Sequence, residues 1–140
     1  MSKIRIDLKL IIYILLTAAI GLVMKYYRGS MSGFFNNSLT GAVYVTFWCF
    51  IVRLVLNSLS AHIIAIMVTL ITCLLEFGQL WQPPFLQYLR QYWIGKTLLG
   101  TTFRWDDLPY YFVGGFVGWL FIKSHNLTSR KQINYLAKKK

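Results

Sequence analysis

The run AHIIAIMVTLITCLLEFGQL, residues 61–80, decides how the rest of the chain is read. About 20 apolar residues are needed to cross ~30 Å of hydrocarbon, and this run has that length. It also carries Glu76, one of only four acidic residues in the chain. An ionisable group at membrane depth is costly, so it marks a functional site with partners to be named. His62, Ala65, Thr69, Thr72, Glu76 and Gln79 recur at steps of 3, 4, 3, 4 and 3, which is one seam of a helix. These are the small or polar members of the run, so the seam is expected to face a bundle interior where their polar groups find partners. Glu76 falls ~9 Å past the helix midpoint at 1.5 Å rise per residue, about one turn below the interface.

Composition agrees with a bilayer. Of 140 residues, 56% are hydrophobic, 17% aromatic and 14% charged. Soluble domains carry roughly 25% charged residues. Mean hydropathy is +0.52. The net charge of +11 does not point to nucleic acid, because the basic residues flank apolar runs and no binding-module pattern accompanies them. Cys49 and Cys73 lie inside apolar runs without metal or redox spacing, and read as packing residues. His62 and His125 lack the companions of a metal site, so neither metal nor cofactor is expected.

Working outward, a first span of about 8–27 follows a basic start (Lys3, Arg5, Lys9) and stops at Lys25-Tyr26-Tyr27-Arg28. That anchor, with no A-x-A-like cleavage site after the run, favours a retained helix over a signal peptide. Thr17 and Gly21 make a small-x-x-x-small face. Residues 28–41 are rich in Gly, Ser and Asn and read as a loop, with Ser38 or Thr40 as cap of a second span over 40–57. Arg53, in its last turn, suits the negative end of the helix dipole and an anchoring role. The short turn 57–60 makes the third span, 61–80, its antiparallel neighbour. Residues 84–94 read as one interfacial or re-entrant helix opened by Pro84, with Arg90 on its polar side. Gly95-Lys96-Thr97 looks like the end of a phosphate-binding loop, but Arg90 stands where the first glycine is required. Asp106 and Asp107 precede the fourth span, 108–123, and can cap it. Gly114 and Gly118 form a G-x-x-x-G face for close helix packing. The tail 124–140 is basic, polar and compatible with a helix near anionic lipid.

With both ends inside, ten basic residues lie on the inner side and five (Lys25, Arg28, Arg90, Lys96, Arg104) on the outer. The expected architecture is therefore an all-α membrane protein, one domain over residues 1–140. It has four transmembrane helices, a short interfacial or re-entrant helix between the third and fourth, and both termini cytoplasmic. Glu76, Gln79, Arg90, Arg104, Trp105 and Asp107 then gather near the outer face. An arginine there supplies a planar fork for phosphate or carboxylate, and Glu76 is expected to work with Arg90 or Arg104.

The same residues carry a resemblance. Glu76-x-x-Gln79, a Pro/Trp-rich stretch, Leu89-Arg90 and then Gly100, Phe103, Trp105, Asp107 and Leu108 resemble an uncharacterised family of small bacterial integral membrane proteins, a domain of unknown function. That family shows E-x-x-Q, L-R and G-x-x-F-x-W-x-D-L before a glycine-rich last helix. Gly41 matches its second helix, while the acidic residue sometimes found beside that glycine is Ala42 here. The likeness spans most of residues 24–120 and implies a multi-pass protein of the bacterial inner membrane. More loosely, the order of Glu, Gln, Arg and Asp is similar to VanZ-like proteins, which are linked to glycopeptide-antibiotic tolerance; that analogy transfers no mechanism.

Three functions fit. The reading adopted is binding of a polar or anionic cell-envelope lipid, or a lipid-linked or small polar ligand, at the outer face, rather than enzymatic action. A proton-coupled transporter or membrane enzyme titrating Glu76 is an alternative. A structural or assembly subunit, working as a homo-oligomer or in a larger membrane complex, is another.

Overall fold

A computed structural model describes residues 8–99 and 103–138. Lys3, Arg5, Lys139, Lys140 and the motif residue Gly100 lie outside them. Among the described residues the protein is all-helical. It comprises α1 (Leu8–Tyr26), α2 (Thr40–Val55), α3 (Ala61–Gly78), α4 (Pro84–Gln91), α5 (Trp93–Leu99) and α6 (Leu108–Lys138). α1 and α3, each with mean hydropathy 2.0 over 18 residues, are long and apolar enough to cross a membrane; α2 is apolar but shorter.

Three local expectations are corrected. The segment 28–41 is not a loop throughout, because Phe34–Leu39 forms a π-helical turn that runs straight into α2. Leu39 is itself helical (φ −71°, ψ −35°), so neither Ser38 nor Thr40 has a helix start to cap, and no side-chain cap forms. The interfacial segment is two helices rather than one over 84–94. Tyr92 is extended (φ −81°, ψ 147°) and separates α4 from α5. Gly95 then lies so close to the Leu89 carbonyl that a Cβ there would overlap it, an approach open only to glycine. α3 stops at Gly78, short of residue 80, where the Gln79 N–H closes onto the Glu76 carbonyl. Pro84 does open α4, with Pro83 extended before it.

α2 is the central helix, touching α1, α3 and α6, while α6 also packs on α3. Small residues set these crossings. A Cβ at Gly114 would overlap the Ala42 backbone, and one at Gly118 would sit 2.8 Å from Cys49 Cβ. Thr46 Oγ1 bridges the same crossing, its single proton shared between the Ala42 carbonyl (3.0 Å) and the Gly114 carbonyl (2.9 Å). Gly115 rests against Thr69 of α3. Val45, Phe50, Ile64 and Ile122 fill the core with free, buried Cys49 and Cys73. At the opposite end from Glu76, Arg53 closes the α2–α3 turn. Its Nη1 donates to the carbonyls of Asn57 (2.6 Å) and Leu59 (2.8 Å), and its Nη2 to Asn126 Oδ1 of α6 (2.7 Å). α6 continues unbroken through the tail to Lys138.

The seam on α3 faces inward for five of its six members. Ala65, Thr69, Thr72, Glu76 and Gln79 are buried, whereas Ile63, Ile66, Leu70, Ile71 and Leu74 are exposed. His62 departs from the seam. It is exposed at the first turn, its Nε2 3.3 Å from Ser60 Oγ, so the turn rather than the bundle holds it.

Candidate functional site

Glu76 is 3% exposed and accepts three hydrogen bonds. Gln79 Nε2, one turn on, donates to Oε2 at 2.9 Å. Tyr111 Oη, in the first turn of α6, donates to the same oxygen at 2.7 Å. The backbone N–H of Arg104 donates to Oε1 at 3.0 Å. All three donors are neutral, and two of them come from the segment after α5. The carboxylate therefore ties α3 to the irregular chain before α6 and to α6 itself. Irregular backbone buried away from water needs such partners inside the protein.

Both arginine expectations change. Arg90 does not meet Glu76. It is buried, and its Nη2 lies 3.5 Å from the Gly78 carbonyl at the end of α3, where a cation complements the helix dipole. Arg104 reaches Glu76 through its backbone only. Its guanidinium lies 3.8 Å from Asp106 in an exposed pair, so Asp106 faces that cation rather than serving as a cap. Trp105 is exposed and stacks edge-on with Phe77 and Phe103, forming an aromatic cluster beside the site rather than in it. Asp107 is partly buried next to Glu76. Burial first, and the Glu76 charge second, push its carboxyl above the usual range, with Arg104 opposing.

A cavity of about 410 Å³ opens over these groups. Glu76, Gln79, Thr72, Asp107 and Tyr111 line it together with Asn36, Thr40, Gly41 and Tyr44. Lys25 from the end of α1, Lys96 from α5 and Arg104 supply cations to its wall. Tyr44 Oη donates to the Leu98 carbonyl at 3.3 Å and so holds α5 against α2 over the cavity. Three buried oxygens on its lining residues, Asn36 Oδ1, Gln79 Oε1 and Asp107 Oδ1, have no donor among the described residues. The Gln79 amide cannot simply be turned over, because its N–H₂ is engaged with Glu76. Among the described residues no three His, Cys, Asp or Glu side chains gather as a metal would need.

Sequence reasoning did not single out Tyr111, Asn36, Tyr44, Lys25 or Lys96 as parts of one site. The available signal was Gly41. A Cβ at that position would stand 2.8 Å from the Tyr111 ring, so the glycine makes room for the tyrosine to reach Glu76.

Fold and site together define an all-helical protein with membrane-length apolar helices and a buried, neutrally bonded carboxylate beneath a polar cavity. Residues 30–115, which contain nearly all of that cavity, match the family model described as Protein of unknown function (DUF2809), and the chain belongs to that family. Comparison with curated proteins and with solved structures gave no match.

Proposed function

We propose that this is a four-span protein of the bacterial inner membrane that binds a polar or anionic lipid, or a lipid-linked headgroup, in the Glu76 cavity at the outer face. The spans would be α1, α2 with its π-helical lead-in, α3 and the apolar start of α6. α4 and α5 would lie at the outer surface, and both ends inside. Support for the bilayer comes from an inverted burial pattern. α3 buries Thr69, Thr72, Glu76 and Gln79 and exposes Ile66, Leu70 and Leu74, while α1 exposes Leu15, Leu16, Ile20 and Val23. A continuous apolar exterior of that kind belongs against lipid or a partner rather than water.

The observation that carries the binding reading is the mismatch between the cavity and its own hydrogen bonds. Both oxygens of Glu76 are engaged, with one acceptor site of Oε1 still open, yet among the described residues the oxygens of Asn36, Gln79 and Asp107 lack donors beside a wall bearing Lys25, Lys96 and Arg104. A buried acceptor left without a donor costs about 1–3 kcal/mol. A headgroup that brings hydroxyl or amine donors to those oxygens and a phosphate to the cations answers both needs. The test is native mass spectrometry of lipid retained by the purified protein. Glu76→Gln and the Lys25→Ala/Lys96→Ala pair should each strip retained lipid while the fold persists; unchanged retention in both rejects the reading.

A second reading rests on the three bonds to Glu76 themselves. They clasp α3 to α6, and a purely structural clasp predicts lowered melting temperature in Glu76→Gln with lipid retention intact.

A further inference from the structure

We infer that the Glu76 cavity selects a zwitterionic head, a phosphate bearing a primary ammonium as in an aminophospholipid, with the ammonium at its floor and the phosphate at its rim. This rests on the headgroup reading above and names the class of lipid.

The charges lining the cavity are sorted by depth. Glu76 and Gln79 are buried, and the Oδ1 atom of partly buried Asp107 is buried with them. The cations Lys25, Lys96 and Arg104 are all exposed. The cavity therefore has an acidic floor and a basic rim. The floor lacks a balancing charge in contact with it. Glu76 takes its bonds from neutral donors, and the Arg104 guanidinium turns outward to exposed Asp106 at 3.8 Å. With Arg104 shared in that pair, the two lysines of the rim are the cations left to meet a phosphate.

What the floor needs is donors. Among the described residues, Gln79 Oε1 and Asp107 Oδ1 are buried without one, and Glu76 Oε1 keeps an acceptor site beyond its bond from the Arg104 N–H. These positions cannot trade roles. The Gln79 amide is fixed by its bond to Glu76, and the other two are carboxylate oxygens, which accept only when ionised. Asn36 discriminates nothing, because turning its amide exchanges Oδ1 for an N–H₂.

A hydroxyl brings one donor and two lone pairs, so on this floor each hydroxyl also sets its own oxygen against oxygens. A primary ammonium brings three donors, no acceptor, and the positive charge that the two carboxylates lack. Hydrogen bonds between ionised groups are also roughly twice as strong as neutral ones. A quaternary ammonium carries the charge without the donors. Three heads on the same phosphate thus separate the contributions: ethanolamine has charge and donors, choline charge alone, and glycerol donors alone.

The test offers the purified full-length protein in detergent equal amounts of phosphatidylethanolamine, phosphatidylcholine and phosphatidylglycerol with identical chains, and reads retained lipid by native mass spectrometry. Phosphatidylethanolamine should be retained severalfold over the other two. The Lys25→Ala/Lys96→Ala pair should weaken all three alike, because they share the phosphate. Asp107→Asn, which keeps the shape and removes the charge, should lower phosphatidylethanolamine alone, with its melting temperature confirming the fold. Equal or greater retention of either other lipid overturns the inference, and so does an Asp107→Asn protein that keeps the full preference. Both results leave the headgroup reading standing, provided that Glu76→Gln and the lysine pair still strip lipid. If those variants keep all three lipids, the headgroup reading itself falls. O-phosphoethanolamine, which has the head without chains, identifies the source. It should compete only in large excess; binding as tight as that of the lipid would make a free phosphoamine the ligand and overturn the aminophospholipid.

Discussion

Tyr111 donates to Glu76 Oε2 at 2.7 Å across two helices 35 residues apart in sequence, and it does so from a ring for which Gly41 leaves just enough space. Three helices are thus coupled at one point. α3 brings the acceptor, α6 the donor, and α2 the missing side chain that lets them meet. The other donors to Glu76 are a side chain one turn away and a backbone N–H, so among the described residues Tyr111 is the only side chain from another helix in the bond set.

That coupling predicts a non-additive pair. Tyr111→Phe leaves a buried carboxylate oxygen short of a donor and should cost about 1–3 kcal/mol. Gly41→Ala should cost a similar amount by overpacking, since its Cβ meets the Tyr111 ring at 2.8 Å and must displace it. Each substitution breaks the same bond, so the double variant should lose less than the sum. Chemical or thermal unfolding in detergent measures the cycle. Gly33→Ala serves as control, because nothing lies within 4 Å of a Cβ there. Strict additivity would show that Gly41 does not act through Tyr111.

The two glycines of the α6 motif should differ in sensitivity. A Cβ at Gly114 would run into the Ala42 backbone, which cannot yield without moving α2. A Cβ at Gly118 would meet mainly the Cys49 side chain, which can change rotamer. Gly114→Ala should therefore destabilise by ~1–3 kcal/mol or more, and Gly118→Ala by distinctly less. Gly114→Ala should also weaken the Thr46 bridge, since that hydroxyl donates to the Gly114 carbonyl. Equal melting shifts for the two variants would contradict this account of the α2–α6 crossing.

How far the site was legible follows from where its parts lie. The seam Ala65–Thr69–Thr72–Glu76–Gln79 could be read because its signal, small or polar residues at helical spacing, is contained in one element. His62 fitted the spacing and failed in space, because the first turn of a helix answers to its preceding residue, here Ser60, as much as to the bundle. Charge was the misleading cue. Opposite signs suggested Arg90 for Glu76, but Arg90 serves the Gly78 carbonyl, and Glu76 takes neutral donors instead. One of those donors is the backbone of Arg104, which no side-chain pattern announces. Tyr111 stood in an aromatic run at a helix start, where tyrosine is common for reasons of interface alone. The break at Tyr92 was hidden for a similar reason. An amphipathic spacing continued through it, while the deciding contact, Gly95 against the Leu89 carbonyl, is a backbone encounter.

The last prediction concerns pH and Asp107, which lies in the turn before α6. Its carboxyl is held above the ordinary value of 3.8, chiefly by burial and then by the charge on Glu76. The folded protein thus binds this proton more tightly than the unfolded chain does. The corresponding stability is present below the ordinary carboxylate value and is lost as pH rises through the raised, folded one. Asp107→Asn, which cannot ionise, should lack that loss. The melting temperature of Asp107→Asn relative to the parent should therefore climb as pH rises from the ordinary carboxylate value through the raised one and level off above it. Because Glu76 is the second cause, Glu76→Gln should shift the window toward lower pH without abolishing it. A difference between Asp107→Asn and the parent that stays constant across the window would mean that Asp107 titrates alike in folded and unfolded chains. A window unmoved by Glu76→Gln would leave burial, with the lesser charge of Asp106, responsible, and Glu76 and Asp107 would then be electrostatically independent despite lining one cavity.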